Sequence, residues 1–289
     1  MARDGNRPRQ IVGRLARITT FQAGGASLNA EPNRDDPEAA RADVSPEDRS
    51  PIGGKRWEGP QLHGEDLRHW AAATAEVATV EKLAGPRTAN TAAELAESVC
   101  QGAGRAIDGS PQKASRACHK GCPGCCHALI SVVPPEAIVI ADYLRKHAAP
   151  EEIERVHDRA KAIARQTRTA DAGQYLEAML WCPLLDSQMS CSVYPIRPIA
   201  CRAWNSLSLD RCHECFIAGH LQDKVPLDEH AYEVGQGARS GFKNGLQDSG
   251  LDGNLYELNS ALTVALENPQ AGKQWVNGEP IFANCKPVG

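Results

Sequence analysis

The stretch Cys118-His-Lys-Gly-Cys122-Pro-Gly-Cys125-Cys126 sets the reading of the whole chain, because it opens a run that holds nine of the eleven cysteines. Cys182, Cys191 and Cys201 follow, and Cys212-His-Glu-Cys215 closes the run. Thiolate is a soft, charged ligand suited to zinc or iron–sulfur centres, and short loops between cysteines favour joint capture of one ion. In Cys122-Pro123-Gly124-Cys125, proline presets φ at the second position and glycine permits positive φ at the third. The spacing therefore predicts a type II turn that brings two sulfurs together. Cys118 lies one helical turn before Cys122 and can join them. Cys126 is harder to place beside Cys125, because neighbouring side chains diverge in both extended and helical backbone, and one tetrahedral ion accommodates both with difficulty. The doublet points to a polynuclear site, to two adjacent sites, or to a separate task for one thiol.

A disulfide framework is the competing use of so many cysteines. Chains built that way are usually small and secreted and begin with an apolar export segment. Here the first thirty residues carry Arg3, Arg7, Arg9, Arg14 and Arg17 and no apolar run long enough for a signal peptide or a membrane span. Such a start fits a cytosolic tail or a mitochondrial presequence. The odd cysteine count and the adjacent doublet also disfavour pairing. The expectation is free thiols in the cytoplasm, with no membrane partner. A net charge of −4 over 289 residues argues against a general nucleic-acid binder.

Composition divides the chain. Residues 1 to 60 mix Arg, Asp, Glu, Gly and Pro with few large apolar side chains, which predicts a disordered tail. Residues 61 to 285 are expected to form an α-rich domain containing the cysteine region, large enough that its core does not depend on metal. A helix is predicted from Glu65, with Leu67, Trp70, Ala71, Val77 and Ala78 as its apolar face and Gly85-Pro86 as its stop. Another spans about Thr88 to Ile107. Pro134-Pro135-Glu136 and Pro150-Glu151-Glu152 each open a helix, because proline suits a first turn and glutamate suits the positive end of the dipole. Ile138, Ile140, Ala141 and Leu144 line the first, and Ile153, Val156, Ala160 and Ile163 the second. A last helix is expected from Leu255 to Leu266. No sustained period-two alternation appears, so the fold class is mainly α: a helical domain with irregular cysteine-rich loops organised around a metal centre.

The middle group reads Trp181-Cys182-Pro183-Leu184-Leu185, then Cys191-Ser192-Val193-Tyr194, then Arg197-Pro198-Ile199-Ala200-Cys201-Arg202. Asp186-Ser187 suggests a hairpin or loop, with Leu184, Leu185, Val193 and Tyr194 closing over the site. No carboxylate occurs from Ser187 to Leu209 or from Gly109 to Pro135, while Lys113, Arg116, Lys120, Arg197 and Arg202 do. These cations either line the site and offset thiolate charge or solvate the loops. Cys212-His213-Glu214-Cys215 fits half of a metal site, or a redox pair. Cys100 reads as a buried small hydrophobe and Cys285 as incidental. His119, His127 and His213 flank cysteines as alternative donors. Trp181 and Trp204 read as shielding.

These motifs together resemble a bacterial cysteine-cluster family named for zinc or iron chelation, whose opening is written Cys-x-x-Cys-x-x-Cys-Cys. The gap from Cys118 to Cys122 is one residue longer here. The resemblance covers about Cys118 to Cys215 and implies metal binding by Cys122, Cys125, Cys126, Cys182, Cys191 and Cys201, with Cys118 beside them. Adding Cys212 and Cys215 completes a candidate set of nine ligands. The implied partner is a metal ion, zinc or iron, with a four-iron, four-sulfur cluster as one form. A flagellin lysine N-methylase group has a similar cluster, which keeps an iron–sulfur enzyme or electron-transfer protein beside a metal carrier or sensor as alternatives. The chain contains no Gly-x-Ser-x-Gly, His-Glu-x-x-His, phosphate-loop or full dinucleotide fingerprint, so hydrolase and nucleotide chemistry have no residues to rest on.

Overall fold

A computed structural model describes residues 59–119, 121–218 and 225–288, with the side chains of 216–218 left out. The segment expected to be disordered therefore lies almost wholly outside the described residues. In chain order the helices are α1 (Gly64–Ala84), α2 (Thr91–Asp108), α3 (Pro134–His147), α4 (Pro150–Gln166), α5 (Ala172–Glu177), α6 (Ile199–Ala203), α7 (Leu209–Ala218), α8 (Glu229–Asp248), α9 (Leu258–Glu267) and α10 (Ala271–Val276). Two short strands, β1 (Ser131–Val132) and β2 (Tyr256–Glu257), pair antiparallel with Ser131 opposite Glu257. The described chain is mainly α, as its apolar periodicity predicts.

The proline-opened helices start at Pro134 and Pro150, and their expected apolar faces are buried or packed against the core. Trp275, Phe242, Phe282, Leu95, Ile138 and Leu262 form the centre of that core. Glu136 does more than suit a helix dipole. Its buried carboxylate accepts the Val133 N–H at 3.1 Å and the Ile199 N–H at 2.9 Å, which ties α3 to the start of α6. Burial raises the Glu136 pKa. Cys100, a buried residue as expected, directs its thiol at the same carboxylate.

The longest contact is between α1 and α8. On α1 the buried stripe is Leu67, Ala71, Ala75, Thr79 and Leu83, a strict four-residue row. Val77 and Ala78, expected inside, are exposed, because α8 packs along that single row. A Cβ at Gly237 would stand 2.1 Å from the Arg68 carbonyl oxygen, and one at Gly241 1.9 Å from that of Ala72. Gly245 meets Thr79 Cβ at 2.7 Å on the same terms. The two backbones touch, and only glycine permits that approach. Arg68 locks the register with two hydrogen bonds to Glu233, at 2.5 and 2.9 Å.

Asp228 begins α8 by accepting the Ala231 N–H at 3.0 Å. Its fully buried carboxylate also takes Ser110 Oγ at 2.7 Å and Arg116 Nε at 2.8 Å. Arg116 reaches on to the Ile107 carbonyl, so the segment leaving α2 is pinned just before the first cysteine.

Candidate metal centre

The opening loop differs from the expected turn. The left-handed glycine is Gly121 (φ 82°), while Gly124 stays outside that region. The turns are closed by the Cys122 N–H to the His119 carbonyl, the Cys126 N–H to that of Pro123 and the Ala128 N–H to that of Cys125. A Cβ at Gly124 would meet Cys212 Sγ at 3.5 Å and Cys122 Sγ at 3.8 Å, ordinary contact distances, so this point marks where sulfurs from two distant segments approach one another. Cys118 is not on a helical turn with Cys122. It is exposed as a residue, but its sulfur accepts the Ser206 N–H at 3.2 Å, and the Ala117 N–H bonds back to the Ser206 carbonyl at 2.8 Å.

The Cys182 N–H donates to the Cys126 carbonyl at 2.8 Å, joining the middle group to the doublet. From there the chain makes the expected loop: Leu185 and Cys191 form an antiparallel bridge, and the Asp186 carboxylate accepts the Gln188 and Ser190 N–H groups at 2.8 and 2.9 Å. Leu184, Leu185 and Val193 are buried over this arm. Tyr194 is not; it is 49% exposed, with the Arg197 guanidinium 4.1 Å from its ring centroid. Cys201 rides on α6, whose start Glu136 holds. Cys212 and Cys215 lie three residues apart on α7, so they share one face, and both are buried. Trp204 packs with them, and the Trp181 ring lies tilted at 56° against buried His127 with centroids 3.5 Å apart. Trp204 thus borders the Cys212–Cys215 face, and Trp181 lies beside the residue that follows the doublet. Burial lowers the His127 pKa to about 4, which keeps the ring neutral.

Among the described residues, which include all eleven cysteines, every thiol is free. Burial pushes Cys182 and Cys212 up to about 12 and Cys201 well above the ordinary thiol value. Cys118 and Cys191 are raised by burial too, partly offset by the N–H groups of Ser206 and Val193. Cys125 goes the other way, lowered to about 7 by the hydrogen bond from Cys126, which is in turn held protonated. Cys125 is an electrostatic neighbour of Cys118, Cys126, Cys182, Cys191, Cys201 and Cys212.

The basic lining resolves into individual roles. Arg197 lowers the pKa of Cys118, Cys125, Cys191 and Cys201, and its buried Nε has no hydrogen-bond partner. Arg116 and Lys113 instead pair with Asp108, and Arg116 with Asp228. Arg202 donates to the carbonyls of Arg197 and Pro195. Lys120 lies outside the described residues. Arg159 on α4, which lowers Cys182, carried no sequence signal because it reads as an ordinary charged helix face.

The donor set fits a thiophilic ion: soft sulfur, backbone N–H groups directed at several sulfurs, and a cation facing the cluster. Among the described residues no group of three or more His, Cys, Asp or Glu side chains is already arranged to hold an ion. Binding therefore requires the thiols to lose protons and draw together around it.

A cysteine-rich metal-binding region is the class this site defines. Residues 117–220 match the model of the CxxCxxCC family, described as a "putative zinc- or iron-chelating domain". The match spans the cysteine region and the loops that carry it, and metal binding is the general function it supports. Neither the curated proteins nor the solved structures contain a match to this chain. No described helix is long and apolar enough to cross a membrane.

Proposed function

We propose that Cys118, Cys122, Cys125, Cys126, Cys182, Cys191, Cys201, Cys212 and Cys215 form the metal-binding centre of this protein, with zinc or iron as the ion. What supports this reading is that the Cys122 and Cys212 sulfurs, from distant segments, lie 3.8 and 3.5 Å from one point beside Gly124, that the Cys182 N–H ties the middle group to the Cys126 carbonyl, and that the buried Arg197 Nε has no hydrogen-bond partner. A bound cation supplies the positive charge that lets buried thiols ionise. Arg197 then offsets the net negative charge of a thiolate-rich centre, while Trp181, Trp204 and Leu184 keep water away from it.

The Cys125–Cys126 doublet favours a polynuclear, iron-containing form over a single zinc ion, because adjacent residues divide more readily between two metal atoms than they share one. Anaerobic purification followed by metal analysis, acid-labile sulfide and a visible spectrum distinguishes the two, since a cluster absorbs visible light and zinc does not. Cys122→Ser and Cys182→Ser are each expected to lower metal content. Full stoichiometry in both variants would overturn the assignment.

A further inference from the structure

We propose that Glu136 is a positioning residue of the metal centre: from α3 it caps the short helix α6 and thereby sets where the Cys201 sulfur stands. This rests on the reading of Cys201 as a metal donor. It adds the group, outside the cysteine loops, on which that donor depends.

Helix α6 has only five residues, Ile199–Ala203, and follows Pro198, whose ring offers no acceptor to the first turn. The opening N–H groups of a helix have no partner within it, and a helix shorter than about 12 residues is marginal unless its surroundings hold it. Here they do. Glu136, 63 residues away along the chain, supplies the missing cap: its Oε1 accepts the Ile199 N–H at 2.9 Å. The other oxygen, Oε2, takes the Val133 N–H at 3.1 Å, and the Cys100 thiol lies 3.7 Å from Oε1, all in a place where Glu136 is 3% exposed. A carboxylate gripped on both oxygens keeps one orientation.

The rest of α6 is fixed by contact. A Cβ on Gly235 of α8 would stand 2.1 Å from Ala203 Cβ, so the two helices meet there with no space for a side chain. One on Gly104 of α2 would stand 3.4 Å from Arg202 Nη1. Three helices of the frame thus hold α6, and Cys201, its third residue, lies between the capped end and the contact at Ala203. Groups that touch no metal but orient a donor govern affinity, because they reduce the ordering that binding must supply.

Cobalt(II), which accepts thiolate donors, reports on the full chain under anaerobic conditions through its thiolate-to-cobalt absorption. In Glu136→Gln the amide keeps the volume but offers one acceptor oxygen where the carboxylate offers two, so an NH2 faces either Ile199 or Val133. Cobalt affinity, measured by chelator competition, is expected to fall about 10–100-fold. In a Cys201→Ser background the same substitution should change affinity by less than about twofold, because its effect runs through that sulfur. A purely structural fault would carry over into that background. In the cobalt-loaded wild type, which needs no variant to fold, the Ile199 amide should exchange as slowly as the core amides of α3. Unchanged affinity in Glu136→Gln, an equal loss in the Cys201→Ser background, or a freely exchanging Ile199 amide would overturn the proposal. No cobalt binding by the wild type would defeat the metal-binding reading itself, and wild-type affinity in Cys201→Ser would defeat the reading of that cysteine as a donor, so these failures stay distinct.

Discussion

Between α1 and α8 the backbones touch along a row of glycines and alanines, and the surrounding helices bury hydrocarbon. In residues 117–128 and 182–215 the chain instead turns on single hydrogen bonds, uses helices of 5 and 10 residues, and buries sulfur. The first region is held by shape. The second keeps ionisable groups out of water with their protons on, an arrangement whose natural completion is a cation. The contrast sets a frame held by backbone contact beside a region whose chemistry is that of its thiols.

The largest effect should come from removing metal. Structural thiolate sites contribute on the order of 10 kcal/mol to the folding of the segments they join. Hydrogen exchange before and after anaerobic chelation should therefore show lost protection in residues 117–128 and 182–215, with α1 and α8 unchanged. Parallel loss in α1 and α8 would break the contrast. Next in size is Gly241→Leu, which forces side-chain atoms into the Ala72 backbone. It should cost about 4 kcal/mol or more in denaturant unfolding, because neither backbone can yield without parting the helices.

Asp228→Asn sharpens the boundary between the regions, since Asp228 joins the segment before Cys118 to α8. Breaking a buried ion pair costs about 3–5 kcal/mol at neutral pH. Burial raises the Asp228 pKa, but the Ala231 N–H, Arg116 and Ser110 outweigh it and hold the value below the ordinary 3.8. A depressed carboxyl stabilises fully above its unfolded value and loses that contribution as pH falls through the folded one. The gap between wild type and variant should therefore narrow in urea unfolding at acid pH. Tyr194→Ala should be the mildest change, below about 1 kcal/mol, because an exposed ring contributes only its contact with Arg197. Metal content should not change.

Much of the frame could be read from local rules. Pro134 and Pro150 start their helices where expected, and the faces behind them are buried. Helix α8 was missed because four glycines inside it lower helix propensity by about 1 kcal/mol each and thin out the apolar period. The four-residue glycine spacing was the available signal, and it describes a packing partner more than a helix. Tyr194 misled for the complementary reason: its neighbours Leu184 and Val193 are inside, but its own direction depends on where Arg197 lies.

The amino-acid order alone determined the donor type, the cysteine spacing, the mainly helical class and the start of each proline-led helix, because these follow from side-chain chemistry and backbone preference over a few residues. Tertiary structure decided that sulfurs from two distant segments approach one another beside Gly124, that Arg197 is a cation whose charge reaches four of the thiols, and that Glu136 anchors the helix bearing Cys201. Those outcomes depend on which groups meet across tens of residues, and contact at that range is set by packing the whole chain at once.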